Sequence, residues 1–379
     1  MSVSCWVKRV KSTVDNMQQP NLGFLLIIAN SARMAAQAAW QLGWKPLVID
    51  VYADIDTRKF AVGYLCVASL APIEILPAVE TFIERYAVSL AVYGSGFENY
   101  PESLNCLAQR LRLLGNSAEC FVQVQDKEEF FSRLTAFDIP FPETRFHPPS
   151  MLSDWLVKPL QGQGGVGIHR ANDVSADGYY WQRYQRGLSQ SVLFIADGYD
   201  AQVIGFNSQW TVDGFIFAGI INNSSLTPIQ QDCVSAWIAR LTAVYGLKGL
   251  NSMDLIQNGD LLYVLEINPR LSASMQLYGE KCLQHHIEVS LNGRLKRWDW
   301  ADDRQSQSEF TAYQIVYAKE DTQIPTGFVW LPFCQDTPKM GSICRKNQPI
   351  CSIMAVSKTP EQVFNTLRAY QQIIFTQLR

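Results

Sequence analysis

The sequence has 379 residues, of which 47% are hydrophobic and 18% are charged, and its formal net charge is −3 at pH 7. This length and composition predict a globular protein of two or three domains, each able to bury an apolar core. The small net charge and the lack of a long lysine and arginine run exclude a broad electrostatic attraction to nucleic acid or to an anionic membrane. We therefore expect small-molecule partners, with no nucleic acid and no membrane.

The cysteines and the apolar runs indicate the compartment. The nine cysteines are scattered, odd in number and without a CxxC pair, which favours reduced thiols and a cytoplasmic location. The longest apolar runs, such as "FLLIIA", are far shorter than the roughly 18 residues that a membrane helix needs, so they are predicted to be buried strands. Polar residues separate this run from the basic N-terminus, so residues 1–20 are predicted to be a loosely attached leader and not a signal peptide.

The first part of the chain alternates strands with helices. A short apolar run from Leu22, the alanine-rich "SARMAAQAAWQLG" and the strand "KPLVIDV" predict a βαβ opening, with Ser31 placed to cap the helix. "SLAVYGSG" and the helical "SLNCLAQRLRLLG" continue the alternation. The pattern predicts an α/β domain with a mostly parallel sheet over residues 21–120.

The remaining segments mix the two element types differently. A helix predicted from Asp126-Lys127 ends at "IPFPETRFHPP", whose prolines mark a joint. Strands and one helix near Ile229 predict an α+β architecture over the following residues. Short strands over 310–355 and a helix from Pro360 complete the chain. We therefore expect two further parts, residues 121–300 and a β-rich subdomain with a terminal helix over residues 301–379.

The segment "WLVKPLQGQGGVGIHRA" contains a string that formally satisfies G-x-G-x-x-G. A dinucleotide-binding turn should lead directly into a helix, whereas "VGIHRAND" is β-branched and then turn-forming, and a Walker A loop needs Lys and Ser or Thr where Ile168 and His169 stand. The string therefore predicts a hairpin whose main-chain N–H groups can approach phosphate oxygens, with Lys158 on the preceding strand as a point charge. An ordinary mobile hairpin with a surface lysine explains this segment equally well when it is taken alone.

The segment "NSMDLIQNGDLLYVLEINPRLSAS" carries a second polar pattern. Period-2 spacing places Glu266 and Asn268 on one face of a strand, with Asp254 on the strand before it. Carboxylate and amide oxygens are the ligands that Mg²⁺ takes, and an unpaired carboxylate within "YVLEI" would be unfavourable. Arg270 follows Pro269 and would project a guanidinium beside this set, where it could stabilise developing negative charge.

These two segments in this order resemble the ATP-grasp superfamily over roughly residues 20–300. The resemblance rests on the combination of "VKP" and a glycine hairpin with "D…EINPR". It implies an ATP-grasp fold: an N-terminal Rossmann-like, pre-grasp α/β domain followed by two α+β lobes that clamp ATP. It also implies activation of a carboxylate as an acyl phosphate, which an amine attacks with release of ADP and phosphate.

The resemblance assigns roles to individual residues. Lys127 and Lys158 match the nucleotide-binding lysines, and Lys158 and Arg270 are the candidate catalytic residues. Mg²⁺, with Mn²⁺ as an alternative, would be held by Asp254, Glu266 and Asn268. The phosphate-covering loop would use Gly162, Gly164, Gly165 and Gly167. The adenine hinge corresponds to "WQRYQRG", in which Gln182 stands where an acid is common, and the candidate adenine and ribose contacts are Gln182, Tyr184 and Gln190.

Two more segments, "ANSARMAAQAAWQLGWKPLVIDVYADIDTR" and "DTPKMGSICRKNQPICSIMA", are similar to biotin-carboxylase-related carboligases. Some of these act in C1 metabolism with methanopterin- or methanofuran-type cofactors, which implies an acid or amine of that kind. Ser31, Arg33, Asp54 and Asp56 would then lie at the mouth of the first domain, although capping and turn roles explain them equally well. A homodimer is compatible with the resemblance.

Three readings of the function follow from the sequence. The first is an ATP-dependent carboxylate-amine ligase, of which a carboxylase acting with bicarbonate and biotin is a subclass, although the chain has no evident biotinyl-lysine domain. The second is a non-catalytic nucleotide-binding or regulatory protein, which the altered hinge supports. The third, a nicotinamide oxidoreductase, rests only on the glycine string.

Overall fold

A computed structural model describes residues 22–171, 177–298 and 309–378. The predicted leader, residues 1–20, lies outside the described residues, as do residues 301–308 at the start of the predicted C-terminal subdomain. Among the described residues, no helix has the length and apolar character needed to cross a membrane.

The N-terminal part is a parallel sheet with helices on both faces, as the alternating pattern predicts. Its strand order is β3-β2-β1-β4-β5, and every pair is parallel. The strands are β1 Phe24–Ala29, β2 Lys45–Asp50, β3 Gly63–Cys66, β4 Leu90–Tyr93 and β5 Arg112–Leu114. The helices are α1 Arg33–Gln41, α2 Pro72–Tyr86, α3 Glu102–Ala108 and α4 Ala118–Gln125. The helix predicted over "SLNCLAQRLRLLG" therefore ends at Ala108, and its last part is strand β5, which pairs with β4. Strand β1 is apolar throughout because helices cover the sheet on both sides.

The start of α1 differs from the prediction for Ser31. The helix begins at Arg33, and the main-chain N–H of Ala32 donates to Asp50 Oδ2 at 3.1 Å. The Ser31 hydroxyl instead donates to Asp54 and Asp336, each at 3.3 Å. Ser31 is therefore not the helix cap, because two carboxylates outside the helix compete for its hydroxyl.

A small antiparallel sheet follows the joint at the prolines. Its order is β6-β9-β7-β8. Helix α5 Lys127–Ala136 comes first, and the strands are β6 Thr144–Arg145, β7 Trp155–Pro159, β8 His169–Arg170 and β9 Tyr179–Arg183. The glycine string connects β7 to β8, which pair antiparallel. This confirms the hairpin and removes the dinucleotide-binding turn, since strand β8, and not a helix, comes directly after the string.

The largest sheet has eight strands in the order β14-β13-β10-β11-β12-β15-β19-β17. They are β10 Leu188–Asp197, β11 Ala201–Val212, β12 Ile216–Ile221, β13 Lys248–Asn258, β14 Leu261–Asn268, β15 Phe310–Tyr317, β17 Cys334–Gln335 and β19 Pro349–Ser357. A two-stranded ribbon pairs β16 Thr322–Gln323 with β18 Ile343–Cys344. The remaining helices are α6 Pro228–Tyr245, α7 Lys281–Asn292 and α8 Pro360–Gln377. Thr227 and Gln230 form a capping box at the start of α6, which fixes where that helix begins.

The parts of the chain share sheets and cores. Strands β15, β17 and β19 continue the large sheet, so the predicted division at residue 300 falls between strands of one sheet. One apolar core joins Ala36 of α1 to Leu193 of β10 and Leu283 of α7. The N-terminal sheet therefore packs against the large sheet, while the exact domain boundaries stay a prediction.

Candidate functional site

Two neighbouring strands bring the predicted acidic residues together. Asp254 of β13 lies directly opposite Glu266 of β14 in the antiparallel register. Asn268 Nδ2 donates to Asp254 Oδ2 at 3.1 Å, and Gln209 Nε2 of β11 donates to Asp254 Oδ1 at 3.1 Å. The structure thus places the three predicted metal ligands side by side on one face of the large sheet.

Two lysines from the other part of the fold reach the same place. Lys127 begins α5 and is buried, and its Nζ lies 3.3 Å from Glu266 Oε2. Lys158 of β7 donates through Nζ to Gln182 Oε1 at 2.6 Å, and Gln182 Nε2 donates in turn to the Thr144 hydroxyl at 3.0 Å. The hinge glutamine therefore holds Lys158 in place.

The charges of this cluster influence one another. Burial lowers the pKa of Lys158 to about 8, although Glu266 opposes the shift. Burial alone would raise the pKa of Glu266, but Lys127 and Lys158 hold it below its ordinary value. Burial, and then the neighbouring Glu266 carboxylate, raise the pKa of Asp254 to about 6. Glu266 thus has cationic partners, whereas Asp254 is an anion that lacks a full counter-charge.

Arg270 extends the cluster towards the N-terminal domain. Its Nη2 donates to Asn268 Oδ1 at 3.0 Å and its Nη1 to the Leu271 carbonyl at 3.3 Å. Its Nε donates to Glu98 Oε1 at 2.8 Å, and both side chains are largely buried, at 10% and 2% exposure. The guanidinium is therefore fixed beside the predicted metal ligands, as the sequence predicts.

The glycine hairpin reaches from the small sheet to the large one. Its four glycines, Gly162, Gly164, Gly165 and Gly167, all have positive φ, between 62° and 146°. The Phe217 main-chain N–H donates to the Gly164 carbonyl at 2.9 Å, and a Cβ on Gly165 would overlap the Phe215 carbonyl. Only glycine allows this approach, so the hairpin contacts the start of β12 and the residue before it.

Tyr184 and Gln190 have different surroundings from the cluster. The Tyr184 ring packs edge-on against Phe215, with ring centres 6.4 Å apart, next to the glycine hairpin. Gln190 is buried, and its Oε1 accepts from Ser224 at 2.8 Å while its Nε2 donates to Ser225 at 3.0 Å. Side chains alternate along a strand, so Gln190 lies on the face opposite its neighbour Ser191, which bonds Asp254. The structure thus does not bring Gln190 to the other predicted residues.

Sequence reasoning missed Glu98, Gln209 and Ser191. Glu98 follows "YGSGF" at the carboxyl end of β4, where ligands collect in parallel sheets, and that position was a usable signal. Gln209 and Ser191 contact Asp254 only through strand register. Register between distant strands is not readable from the local sequence.

The residues present fit a divalent cation bound with a polyphosphate. The described ranges contain no cluster of three or more His, Cys, Asp and Glu side chains suited to a metal. Two carboxylates and an amide are nevertheless the small protein set that Mg²⁺ takes when phosphate and water complete its octahedron. Burial and the neighbouring Glu266 carboxylate, which raise the pKa of Asp254, make a positive charge at this position favourable.

Comparisons with known proteins give distant relatives of this chain. Over 262 residues, the chain is 23% identical to an uncharacterised protein of Methanocaldococcus jannaschii, which covers 64% of this chain and 63% of the relative. Over 188 residues, it is 25% identical to the tyramine–L-glutamate ligase of the same organism, covering 48% and 52%. The chain thus spans about half to three fifths of the length of these relatives.

A solved structure extends the likeness to nearly the whole chain. The biotin carboxylase domain of Hydrogenobacter thermophilus 2-oxoglutarate carboxylase, solved with MgADP and bicarbonate, superposes with a TM-score of 0.71 at 13% identity. The superposition covers 91% of this chain and 89% of that one. The sheet order and this likeness together establish the fold. The family model of the ATP-grasp domain matches residues 124–274 of this chain.

Proposed function

We propose that this protein is an ATP-dependent ligase that activates a carboxylate as an acyl phosphate and joins it to an amine, releasing ADP and phosphate. The observation that carries the proposal is the charge pattern between the two sheets. Lys127 and Lys158 face Glu266, while Arg270 only partly offsets the charge of Asp254, so a divalent cation would complete its neutralisation. A polyphosphate with a bound cation complements that pattern.

Each residue has a defined task in this proposal. Lys158 would bind phosphate oxygens as a point charge held by Gln182, with Lys127 beside it on Glu266. Asp254, Glu266 and Asn268 would hold Mg²⁺ or Mn²⁺, which supplies neutralisation of phosphate charge. Catalysis would rest on positioning and charge neutralisation and would need no protein nucleophile.

The glycine hairpin would act as the cover of the phosphate site. Its main-chain N–H groups are open to close approach because Gly162, Gly164, Gly165 and Gly167 have no Cβ. The hydrogen bond from the Phe217 N–H to the Gly164 carbonyl attaches the hairpin to the large sheet, where it would cover a phosphate bound between the sheets. A closed cover excludes water, which protects an acyl phosphate from hydrolysis.

The adenine contacts are a narrower proposal. Gln182 binds Lys158 and Thr144, so its first role is to orient that lysine. Tyr184 lies beside the hairpin at the hinge and stays the candidate adenine contact. We do not assign Gln190 to the ribose, because serine hydroxyls occupy its amide.

The nature of the substrates is part of the proposal. The tyramine–glutamate ligase relative supports an amino acid carboxylate with an amine acceptor. A pterin- or furan-linked C1-carrier intermediate remains a proposal from the sequence resemblance, as do the cytoplasmic location and a homodimer. The carboxylase reading shares the fold with the superposed biotin carboxylase domain, but a likeness at 13% identity concerns the fold alone.

The alternative is a nucleotide-binding protein without turnover. Gln182 at the hinge, where the family often has an acid, favours this alternative, because a neutral amide there changes the charge around the nucleotide. The intact set of Lys158, Asp254, Glu266, Asn268 and Arg270 favours the ligase, since a degenerate member would usually lose one of these. Both readings predict nucleotide binding, and only the ligase predicts ADP release.

The first experiment is calorimetric titration with a nonhydrolysable ATP analogue, with and without magnesium, and with NADH as a control. We expect magnesium-dependent binding that Lys158→Ala removes and that Lys358→Ala, at an exposed turn, leaves unchanged. Binding of NADH alone, or binding that magnesium does not affect, would reject the proposed site.

The second experiment separates the ligase from the non-catalytic alternative. ADP release is measured with panels of amino acids and amines, and Glu266→Ala should abolish it by removing a metal ligand. Exposed Glu361→Ala serves as the matched control. Magnesium-dependent binding without ADP release for any pair would favour the nucleotide-binding protein.

A further inference from the structure

The segment that carries Arg270 is held by the N-terminal domain. The Pro269 carbonyl accepts from Asn116 Nδ2 at 2.9 Å, and it lies 3.3 Å from the Tyr93 hydroxyl, whose shorter bond is to the Asn116 carbonyl at 2.9 Å. Asn116 Nδ2 also lies 2.7 Å from Asn251 Oδ1 of β13. Tyr93 ends β4 and Asn116 follows β5, so residues at the carboxyl edge of the parallel sheet bind this segment through hydrogen bonds. The candidate site is thus completed by a domain outside the matched ATP-grasp region.

Glu98 is the charged member of that contact. It is 3% exposed, and both of its oxygens are used: Oε1 by Arg270 Nε at 2.8 Å, and Oε2 by the Gly96 N–H at 2.8 Å. A buried carboxylate is tolerated only where it is paired and hydrogen-bonded. Gly96 has φ of 116°, and a Cβ there would overlap the Asn30 side chain. The turn that holds Glu98 is therefore set by glycine and has little freedom to move.

The bonds of Arg270 leave part of its guanidinium free to act. Glu98, Asn268 and the Leu271 carbonyl take three of its N–H groups. A guanidinium has five N–H donors, so two remain for an oxygen outside these contacts. Nη2 donates to Asn268 and Nη1 to the Leu271 carbonyl, so the two remaining N–H groups belong to these terminal nitrogens and not to the Nε edge that Glu98 binds.

We infer that Glu98 is a positioning residue for Arg270, and this inference rests on the proposed ligase function. Glu98 holds the Nε edge of the guanidinium so that the remaining N–H groups face the phosphoryl group transferred between Asn268 and the lysines. It does not touch substrate itself. The N-terminal domain thereby contributes to the rate of phosphoryl transfer, and not only to fold stability.

A purely structural role for Glu98 predicts a different kinetic pattern. A residue that only clamps two domains would lower stability and weaken nucleotide binding together with turnover. A residue that aims Arg270 acts in the transition state, so its loss lowers kcat and leaves the KM for ATP nearly unchanged. The two roles are therefore separable by kinetics.

The kinetic test compares Glu98→Ala and Glu98→Gln with Arg270→Ala and with the double variant. We expect Glu98→Ala to lower kcat about 100-fold with less than a threefold change in KM for ATP, and Glu98→Gln to lower it less. In the Arg270→Ala background, the further change Glu98→Ala should lower kcat by less than about threefold, since both residues act through the same guanidinium. Glu80→Ala, in an exposed pair with Arg110, is the control. Independent, multiplying losses would overturn the inference.

A second test does not depend on turnover. The arginine reagent phenylglyoxal is applied to the whole protein, and the modification rates of Arg270 and Arg33 are followed by peptide mass spectrometry. We expect Glu98→Gln to raise the Arg270 rate at least tenfold and to leave Arg33 protected, because Arg33 is buried with its own partners. An unchanged Arg270 rate would overturn the inference, and so would equal increases at both arginines.

The outcomes distinguish the two levels of inference. Absence of nucleotide binding and of ADP release in the unmodified protein would reject the proposed function. The labelling result would still decide whether Glu98 orients Arg270. Turnover with an unaltered kcat in both Glu98 variants would instead keep the ligase and reject the positioning role.

Discussion

Replacement of Asp254 by asparagine should make the metal-free protein more stable while it removes the cation site. In the folded protein, burial and Glu266 raise the pKa of Asp254 from 3.8 to about 6. This rise in pKa corresponds to a destabilisation of the folded protein by about 3 kcal/mol, which solvent screening reduces to about 2 kcal/mol. Asn268 and Gln209 each donate to one carboxylate oxygen of Asp254, and asparagine has only one such oxygen. The lost hydrogen bond offsets about 1 kcal/mol of the gain in stability.

The net expectation for Asp254→Asn is a gain of about 1 kcal/mol, which raises Tm by about 2–4 °C. Because the pKa of Asp254 is higher in the folded than in the unfolded protein, its ionised carboxylate destabilises the native protein to the full extent above about pH 6. This destabilisation disappears as the pH falls from about 6 towards 4, because the buried carboxyl is then protonated. The Tm difference should therefore be present at pH 8 and absent at pH 4.5.

The assay is thermal unfolding in EDTA across this pH range, repeated with magnesium and a nonhydrolysable ATP analogue. The control is Asp260→Asn, which removes the same charge from the exposed turn between β13 and β14 and should leave Tm unchanged. With ligand present, the unmodified protein should gain stability and Asp254→Asn should not. A lower Tm for Asp254→Asn at pH 8 in EDTA would refute the electrostatic reasoning.

Three further predictions follow from the geometry. Nucleotide affinity should fall as the pH rises through about 8, because Lys158 loses its charge. The affinity of Lys158→Arg, measured by calorimetry, should not change over this pH range, and an equal fall in both proteins would contradict the prediction. Gly165→Ala should weaken the nucleotide affinity measured by calorimetry at least tenfold, since the new Cβ overlaps the Phe215 carbonyl. The Cβ of Gly164→Ala meets open space, so this variant should lose less affinity, and equal losses would argue against docking of the hairpin. Asp336→Ala should lower the free energy of unfolding by about 3–5 kcal/mol in denaturant titrations, because it leaves the buried Arg33 without its carboxylate partner. Exposed Asp321→Ala should lower it by less than about 1 kcal/mol, and similar values for the two variants would exclude an interdomain ion pair of this strength.

Most of the fold could be predicted from local patterns. The run at β1, the helix from Pro360 and the strand at Trp155 were readable from apolar period and turn residues. The antiparallel course of the glycine hairpin followed from the β-branched residues after it. Sequence reasoning failed where two partners compete for one group, as at Ser31, whose hydroxyl binds distant carboxylates and not the helix end.

The candidate site divides in the same way. The sequence by itself determined which side chains are available: two lysines, a glycine hairpin, and the acid, amide and guanidinium of "EINPR", because their spacing within single elements fixes the face that they share. Only the tertiary structure decided that Glu98 meets Arg270, that Gln209 meets Asp254, and that Gln190 points to the other side of its sheet. These contacts depend on strand register and on domain packing, which are set by many weak interactions along the whole chain and not by any single segment.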